Sequence, residues 1–372
     1  MKVVYTDISK AFDSVSHTKL IHIIRTYGVN EDLTKWLEDF LRNRKQQVCL
    51  GDETSSFLHV LSGIPQGSVI GPLIFNIYFD DITKACMQNY GTQGIKLYAD
   101  DAKIYGTNHD DLQESLNQCV LWLQDRQLTV AQAKCFTMNL SRPRSNTVNN
   151  HFDINDTILP TKPYAQDLGI FISNNLKWAH HVNYISGKAS VYAYQILKSF
   201  KTKNLYVLIN LFKTYVRPKL EHNSELWSPH LRKDIEKLES VQRFFTRTIF
   251  KRCGISYSSY SDRLLKSNIL SLQRRRLHKD LILFYKIFYG FSDINFNDYF
   301  IFTNSKYNLR RNSFQIKIKD PLNLQTNQYT NSFFIRIVSI WNNLPNDIVQ
   351  SKSLNTFKQN IKMFKFKNLI FP

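Results

Sequence analysis

Cysteine is scarce in this chain. Five residues in 372, Cys49, Cys86, Cys119, Cys135 and Cys253, are odd in number and scattered, with no close pair. That dispersal excludes a disulfide framework and a zinc knuckle and reads as reduced thiols. No apolar run approaches the roughly 18 residues of a membrane span, and no basic-then-apolar leader opens the chain. The expectation is an intracellular protein with no membrane partner, nucleus and cytoplasm undistinguished. Internal repeats are absent too, which excludes a solenoid.

What is present is apolar content of 43% in a chain long enough for two or three domains, and a net charge of +19. The charge is lopsided. Residues 1–150 carry 15 Lys and Arg against 16 Asp and Glu, whereas residues 151–372 carry 34 against 14. Such a one-sided excess points to a polyanion, with an acidic-residue platform followed by a module that grips phosphate.

Hydrophobic periodicity organises the first half. Residues 3–8 are β-branched and apolar, a buried strand ending at Asp7, and helices are predicted over 18–27 and 31–43. Residues 46–50 and 56–61 read as a strand pair joined by a turn at 51–54, and 69–82 as a core helix. Residues 95–97 and 103–105 flank Ala99-Asp100-Asp101-Ala102 as a hairpin would. A helix over 110–127, a strand over 135–140, a loop over 141–150 and a strand pair around Leu168-Gly169-Ile170 follow. From about residue 180 the pattern is mainly helical, and beyond about 295 it assigns no fold. Alternating strands and helices with hairpins make an α+β sheet backed by helices. In the helix over 234–250, Ile235, Leu238, Val241, Phe245 and Ile249 form one stripe, with Lys237, Arg243, Arg247 and Lys251 opposite. Arg274-Arg275-Arg276 and Arg310-Arg311 add charge near aromatic residues, a mixture suited to backbone contact and stacking.

The chemistry rests on carboxylates. Asp7 at a strand end and Asp100 in a hairpin turn are expected side by side, offering oxygen to two Mg²⁺ ions (Mn²⁺ as substitute), with Asp101 supporting from behind. Tyr78-Phe79-Asp80-Asp81 has the same form as Tyr98-Ala99-Asp100-Asp101. It continues a helical run, so Asp80 and Asp81 read as a solvated helix end.

Tyr5-Thr6-Asp7-Ile8-Ser9-Lys10-Ala11-Phe12-Asp13, Ser62-Gly63-Ile64-Pro65-Gln66-Gly67-Ser68 and Tyr98-Ala99-Asp100-Asp101 together resemble the first three polymerase motifs of reverse transcriptases, in particular those of non-LTR retrotransposons. Leu168-Gly169-Ile170 resembles the primer grip, and Leu176-Lys177-Trp178 with His181 continues the likeness. Tyr215-Val216-Arg217-Pro218-Lys219-Leu220-Glu221 and Trp341-Asn342-Asn343-Leu344-Pro345 are similar, less specifically, to the C-terminal regions of the same elements.

The resemblance implies a reverse-transcriptase-like palm over 1–180, a basic helical thumb over 181–295 and a C-terminal region over 296–372. It implies an RNA-directed DNA polymerase, a nucleotidyltransferase of a transposable element, whose partners are an RNA template, a DNA primer and deoxynucleoside triphosphates. Asp7, Asp100 and Asp101 become the catalytic, metal-binding triad. Phe12 becomes the gate against a 2′-hydroxyl, Gln66 and Gly67 lie against the nucleotide, Leu168 and Gly169 grip the primer, and Lys134 donates a proton to pyrophosphate. Two departures stand against this: Ala131 occupies the Asn position before that lysine, and Met1 lies six residues before Asp7, so that fingers and endonuclease are expected to be missing. Two alternatives follow, an inactive nucleic-acid-binding remnant and a relative of RNA-directed RNA polymerases or intron maturases.

Overall fold

β1 (Lys2–Thr6) owes its strand to Val3, Val4, Tyr5 and Thr6, residues that suit a pleated, half-buried surface. Three strands join it: β2 (Gly94–Tyr98), β3 (Asp101–Gly106) and β4 (Phe136–Asn139), in the order β4-β1-β3-β2. All pairings are antiparallel, with Val4 opposite Ile104 and Thr6 opposite Ala102. Those four side chains are buried and define the covered face of the sheet. The computed structural model describes residues 1–87, 94–140, 151–303, 314–321 and 326–366. The 141–150 loop and the Arg310-Arg311 cluster expected from the sequence lie outside the described residues.

Five helices cover that face. They are α1 (His17–Thr26), α2 (Glu31–Leu41), α3 (Gly71–Phe79), α4 (Ile82–Met87) and α5 (His109–Asp125). Leu20, Ile24, Phe75, Phe79 and Leu116 from the helices share one core with Val4 and Ile104 from the sheet. Asn30 and Asn108 cap α2 and α5, each accepting from a backbone N–H two residues on. The helix expected over 69–82 starts later, because Gly71-Pro72 sets its first turn and leaves Val69 97% exposed. The expected strand pair near 46–61 is also shorter. Lys45–Gln46 pairs with Leu58–His59 and Cys49–Leu50 with Glu53–Thr54, so the turn tightens to Gly51-Asp52, with Gly51 at φ 61°.

The chain divides into compact units at Met1–Ala165 and Gln166–Pro372. This differs from the expected boundary at 180, because Ile170 shares a core with Val182 and Ile185 of the next helix. The hairpin of β5 (Tyr164–Asp167) and β6 (Ile170–Ser173) leads into α6 (Ala179–Ser199) and α7 (Leu205–Leu211). A π-helical turn over Phe212–Val216 runs into α8 (Arg217–Glu221). Next come α9 (Ser224–Trp227), α10 (Arg232–Cys253), α11 (Tyr260–Lys266) and α12 (Leu272–Phe288). The expected boundary at 295 crosses a core: Leu281, Phe284 and Ile287 of α12 pack with Phe300, Ile316, Trp341 and Phe357.

That last core is built from α13 (Phe296–Tyr299), the pair β7 (Phe300–Phe302) and β8 (Ile316–Ile318), α14 (Asn327–Thr330), α15 (Phe333–Asn342), α16 (Asn346–Val349) and α17 (Leu354–Met363). The Trp341-Asn342 pair holds it. Trp341 Nε1 donates to Phe314 O at 3.1 Å, and Asn342 brackets the Ile316 backbone at 3.0 and 2.9 Å. Among the described residues no helix is long and apolar enough to cross a membrane.

Candidate active site

The β1–β3 register runs out at Thr6 opposite Ala102. Asp7 and Asp101 are the next residues on the two strands beyond that last pair. Alternation puts both carboxylates on the face that also carries Tyr5, Lys103 and Phe136, the open side of the sheet. Tyr5 stacks on Phe136 there, ring centroids 4.7 Å apart. Thr6 Oγ1 donates to Ala102 O at 3.1 Å and pins the pairing next to the acids.

Asp100 belongs to the turn. Tyr98 pairs with Asp101, so Ala99-Asp100 is a two-residue hairpin loop, and Ala99 has φ 51°. That left-handed sign is what primed hairpin turns demand at their first position, and it strains a residue other than glycine.

Asp7 is gripped from β4's side. Ala131 N donates to Asp7 O at 2.8 Å, and Asp7 N donates to Cys135 Sγ at 3.5 Å. Burial, reinforced by the charge of Asp7, pushes the Cys135 thiol up and keeps it neutral. Lys134 Nζ lies 3.1 Å from Asp7 Oδ1, with its side chain 68% exposed. Ala131, which occupies the expected Asn position, thus acts through its backbone, and Lys134 reaches the first carboxylate.

Among the described residues, no three His, Cys, Asp or Glu side chains converge closely enough to hold a metal. The donors are nonetheless hard oxygens on adjoining strands. Mg²⁺ usually takes one or two carboxylates and completes its shell with water and substrate phosphate rather than an all-protein cage. The residues fit a cation shared with a substrate, not a self-contained protein site.

The second motif folds onto the segment after the first. Ala11–Ser14 forms a 3₁₀ turn. Ile64 N donates to Phe12 O at 2.8 Å, Gly63 N to Val15 O at 2.8 Å and Ser62 Oγ to Asp13 O at 2.9 Å. Gln66 Nε2 then donates to Asp13 Oδ1 at 2.9 Å. Phe12 stacks on Phe75 at 4.1 Å and remains half-buried, packed against the core. Gly67 has φ 82° with open space around it. Asp13, His17 and Gly63 were not singled out in the sequence. Their role is architectural, His17 Nε2 lying 2.7 Å from Gly63 O.

Leu168 and Gly169 form the two-residue turn of the β5–β6 hairpin with φ 45° and 83°, and His222 Nε2 lies 3.0 Å from Leu168 O. His181 is a core histidine: Phe171 N donates to its Nδ1 at 3.2 Å, and burial pulls its pKa down to about 4.

The basic residues divide. Lys237, Arg247 and Lys251 are exposed on α10, and the Arg243 guanidinium lies 5.6 Å over Tyr260. Arg274-Arg275-Arg276 is not the free cluster expected. Arg276 is 1% exposed, because Leu272, Arg276 and Asp280 fall on the buried stripe of α12. Arg275 binds both oxygens of Glu221, and Arg274 Nη2 donates to the carbonyls of Lys362 and Phe364 at 2.9 and 3.0 Å. A guanidinium enclosed in a core cannot reach a phosphate. The Tyr78 copy of the tyrosine-Asp-Asp pattern ends a helix as expected. Its acids are engaged rather than merely solvated: Tyr27 Oη donates to Asp80 at 2.5 Å, and Arg126 pairs with Asp81.

Residues 2–196 match the family described as reverse transcriptase (RNA-dependent DNA polymerase). An uncharacterized Caenorhabditis elegans protein is 32% identical over 134 residues, covering 35% of this chain and 68% of that one. The probable RNA-directed DNA polymerase from the Drosophila melanogaster transposon X-element is 23% identical over 264 residues, covering 66% of this chain and 28% of its own length. Among solved structures, apo telomerase from Candida tropicalis has a TM-score of 0.42 at 11% identity, over 72% of this chain and 45% of that one. The chain belongs to the reverse transcriptase family, in the group carried by non-LTR retrotransposons.

Proposed function

We propose that the chain copies an RNA template into DNA, adding deoxynucleoside triphosphates to a primer 3′-hydroxyl. The first unit serves as palm, and the second as thumb and C-terminal region. The observation that supports this is the register of β1 and β3, whose last pair, Thr6 opposite Ala102, is followed on the two strands by Asp7 and Asp101, with Asp100 in the adjoining turn.

Asp7, Asp100 and Asp101 would hold two Mg²⁺ ions, which Mn²⁺ can replace. The chemistry such a pair supplies is activation of the 3′-hydroxyl and neutralisation of triphosphate charge. The chain's own residues do the positioning. Lys134 pairs with Asp7 and stands within reach of the same space to give a proton to departing pyrophosphate. Phe12 walls the sugar site against a 2′-hydroxyl. The bonded 62–67 turn fixes Gln66 and leaves Gly67 open for close backbone approach. Leu168 and Gly169 hold the primer end, and Lys237, Arg243, Arg247 and Lys251 follow the duplex backbone.

Primer extension on poly(rA) with dTTP and Mg²⁺ tests this. Incorporation by the wild type, abolished in Asp100→Asn and lowered about 100-fold in Lys134→Met, supports it. Incorporation of UTP as readily as dTTP would remove the Phe12 gate and favour an RNA polymerase.

One observation favours a second reading, a nucleic-acid-binding protein without catalysis: Lys134 Nζ is seated on Asp7 Oδ1. Salt-sensitive duplex binding with no incorporation in Mg²⁺ or Mn²⁺ would select it.

A further inference from the structure

The second unit holds a cleft of about 400 Å³ whose lining includes Lys213, Arg217, Arg275 and Lys362 against Leu264 and Leu265, with no carboxylate among the lining residues. We propose that this cleft seats the phosphodiester backbone of a bound nucleic acid, separately from the row of cations on α10. The choice of nucleic acid over a free anion rests on the polymerase reading.

Three of the four cations have no direct side-chain partner among the described residues. Arg275 is committed to Glu221, with Nη2 donating to Oε2 at 2.8 Å. Lys213, Arg217 and Lys362 make no side-chain hydrogen bond or ion pair among the described residues. Arg217 is half-buried, and burial followed by the like charge of Arg275 pulls its pKa down, against the smaller opposing charge of Glu221. A guanidinium held beside another cation and without an acceptor is stabilised by an anion.

The backbone arrangement is specific. Lys213 lies within the π-helical turn Phe212–Val216, and Arg217 follows immediately at the first residue of α8. π-turns are rare and concentrate at functional sites. Lys362 is fixed from behind, because Arg274 Nη2 donates to its carbonyl and to that of Phe364, tying the end of α17 to α12. Leu265 on the cleft wall and Met363 beside Lys362 are 80% and 83% exposed, apolar surface for sugar edges to rest on.

The test measures binding of the full chain to a labelled RNA–DNA heteroduplex across a salt series. Each released phosphate contact contributes about 0.9 to the slope of log affinity against log salt. Lys213→Ala, Arg217→Ala and Lys362→Ala combined should therefore flatten that slope by about 2 to 3 and weaken binding about tenfold or more. Arg217→Gln should lower the slope by about 1 and Arg217→Lys should keep it. Wild-type affinity and slope in the triple variant, with thermal unfolding unchanged, would overturn the proposal. So would a loss confined to free triphosphate, measured by equilibrium dialysis. If the wild type incorporates nothing while the triple variant loses binding, the cleft stands and the polymerase reading falls.

Discussion

Replacing Gly63 with alanine tests the join between the two motifs. A Cβ built on Gly63 would lie 2.7 Å from Asp13 O, 2.8 Å from Asp13 Cα and 2.9 Å from Asp13 C, all backbone atoms with no rotamer to move away. Gly63 also sits at φ 90°, where an L side chain is strained. The conformational term is about 1.5 kcal/mol, and the overlap adds about 2 to 3 kcal/mol in a packed setting. Relief requires the turn to lift away, which would stretch the bonds from Gly63 N to Val15 O and from Ile64 N to Phe12 O. Gly67 is the internal control. Its φ of 82° carries the same strain, but nothing lies within 4 Å of its Cβ position. Gly67→Ala should cost about 1.5 kcal/mol and Gly63→Ala about 4 kcal/mol, a large share of a domain's margin. Urea unfolding measures the difference, and amide exchange at Ile64 should accelerate in Gly63→Ala alone. Equal losses in the two variants would refute the reasoning.

Two further outcomes follow from the second unit. Arg276→Met should change stability by less than about 1 kcal/mol and leave duplex binding untouched. Glu221 keeps Arg275, Glu239 keeps Tyr260 and the Leu272 N–H, and Asp280 keeps Arg336; removing Arg336 instead should cost about 3 to 5 kcal/mol, because it leaves buried Asp280 without its bidentate partner. A large loss in Arg276→Met by thermal melting would show that its through-space charge matters more than these direct bonds. The second outcome concerns acid. With its pKa held near 4 by burial, His181 resists a proton that the unfolded chain accepts at its ordinary value of 6.5, so native stability is full above about 6.5 and falls as pH drops toward 4. The loss reaches about 3 kcal/mol from this group. Melting temperatures from pH 7.5 down to 4.5 should fall less steeply in His181→Asn, and an unchanged slope would contradict the assignment.

The parts legible in the sequence are those specified locally. Val3 to Thr6 reads as a strand from its own residues, and the Tyr98 hairpin is told from the Tyr78 copy by the strands beside it. The contacts of the Tyr78 copy were not legible, since Tyr27 and Arg126 reach it from other helices. Arg276 misled for a related reason. A run of three arginines looks like a solvent-facing cluster, yet its third member shares the i, i+4 stripe of Leu272 and Asp280, and only the charged neighbours Glu221 from α8, Glu239 from α10 and Arg336 from α15 reveal that the stripe is buried. Beyond residue 295 periodicity is weak because the elements are short. They are set by Trp341 and Asn342 gripping the Phe314 and Ile316 backbone, a long-range arrangement that leaves no local signature.

The position of the acids depends on the covered face more than on the acids themselves. Antiparallel side chains alternate with period two, so a slip of one residue between β1 and β3 would turn Asp101 away from Asp7 and expose what is now core. Val4, Thr6, Ala102 and Ile104 oppose that slip, each 5% exposed or less. Thr6 adds a directional lock through its bond to Ala102 O. Charge repulsion between neighbouring carboxylates opposes their approach, and Lys134 and the backbone clamp from Ala131 offset it at Asp7. The apolar register therefore does the work of holding like charges together. A core substitution such as Val4→Ala should then impair a cation-dependent function of the open face through register, with no side chain of that face altered.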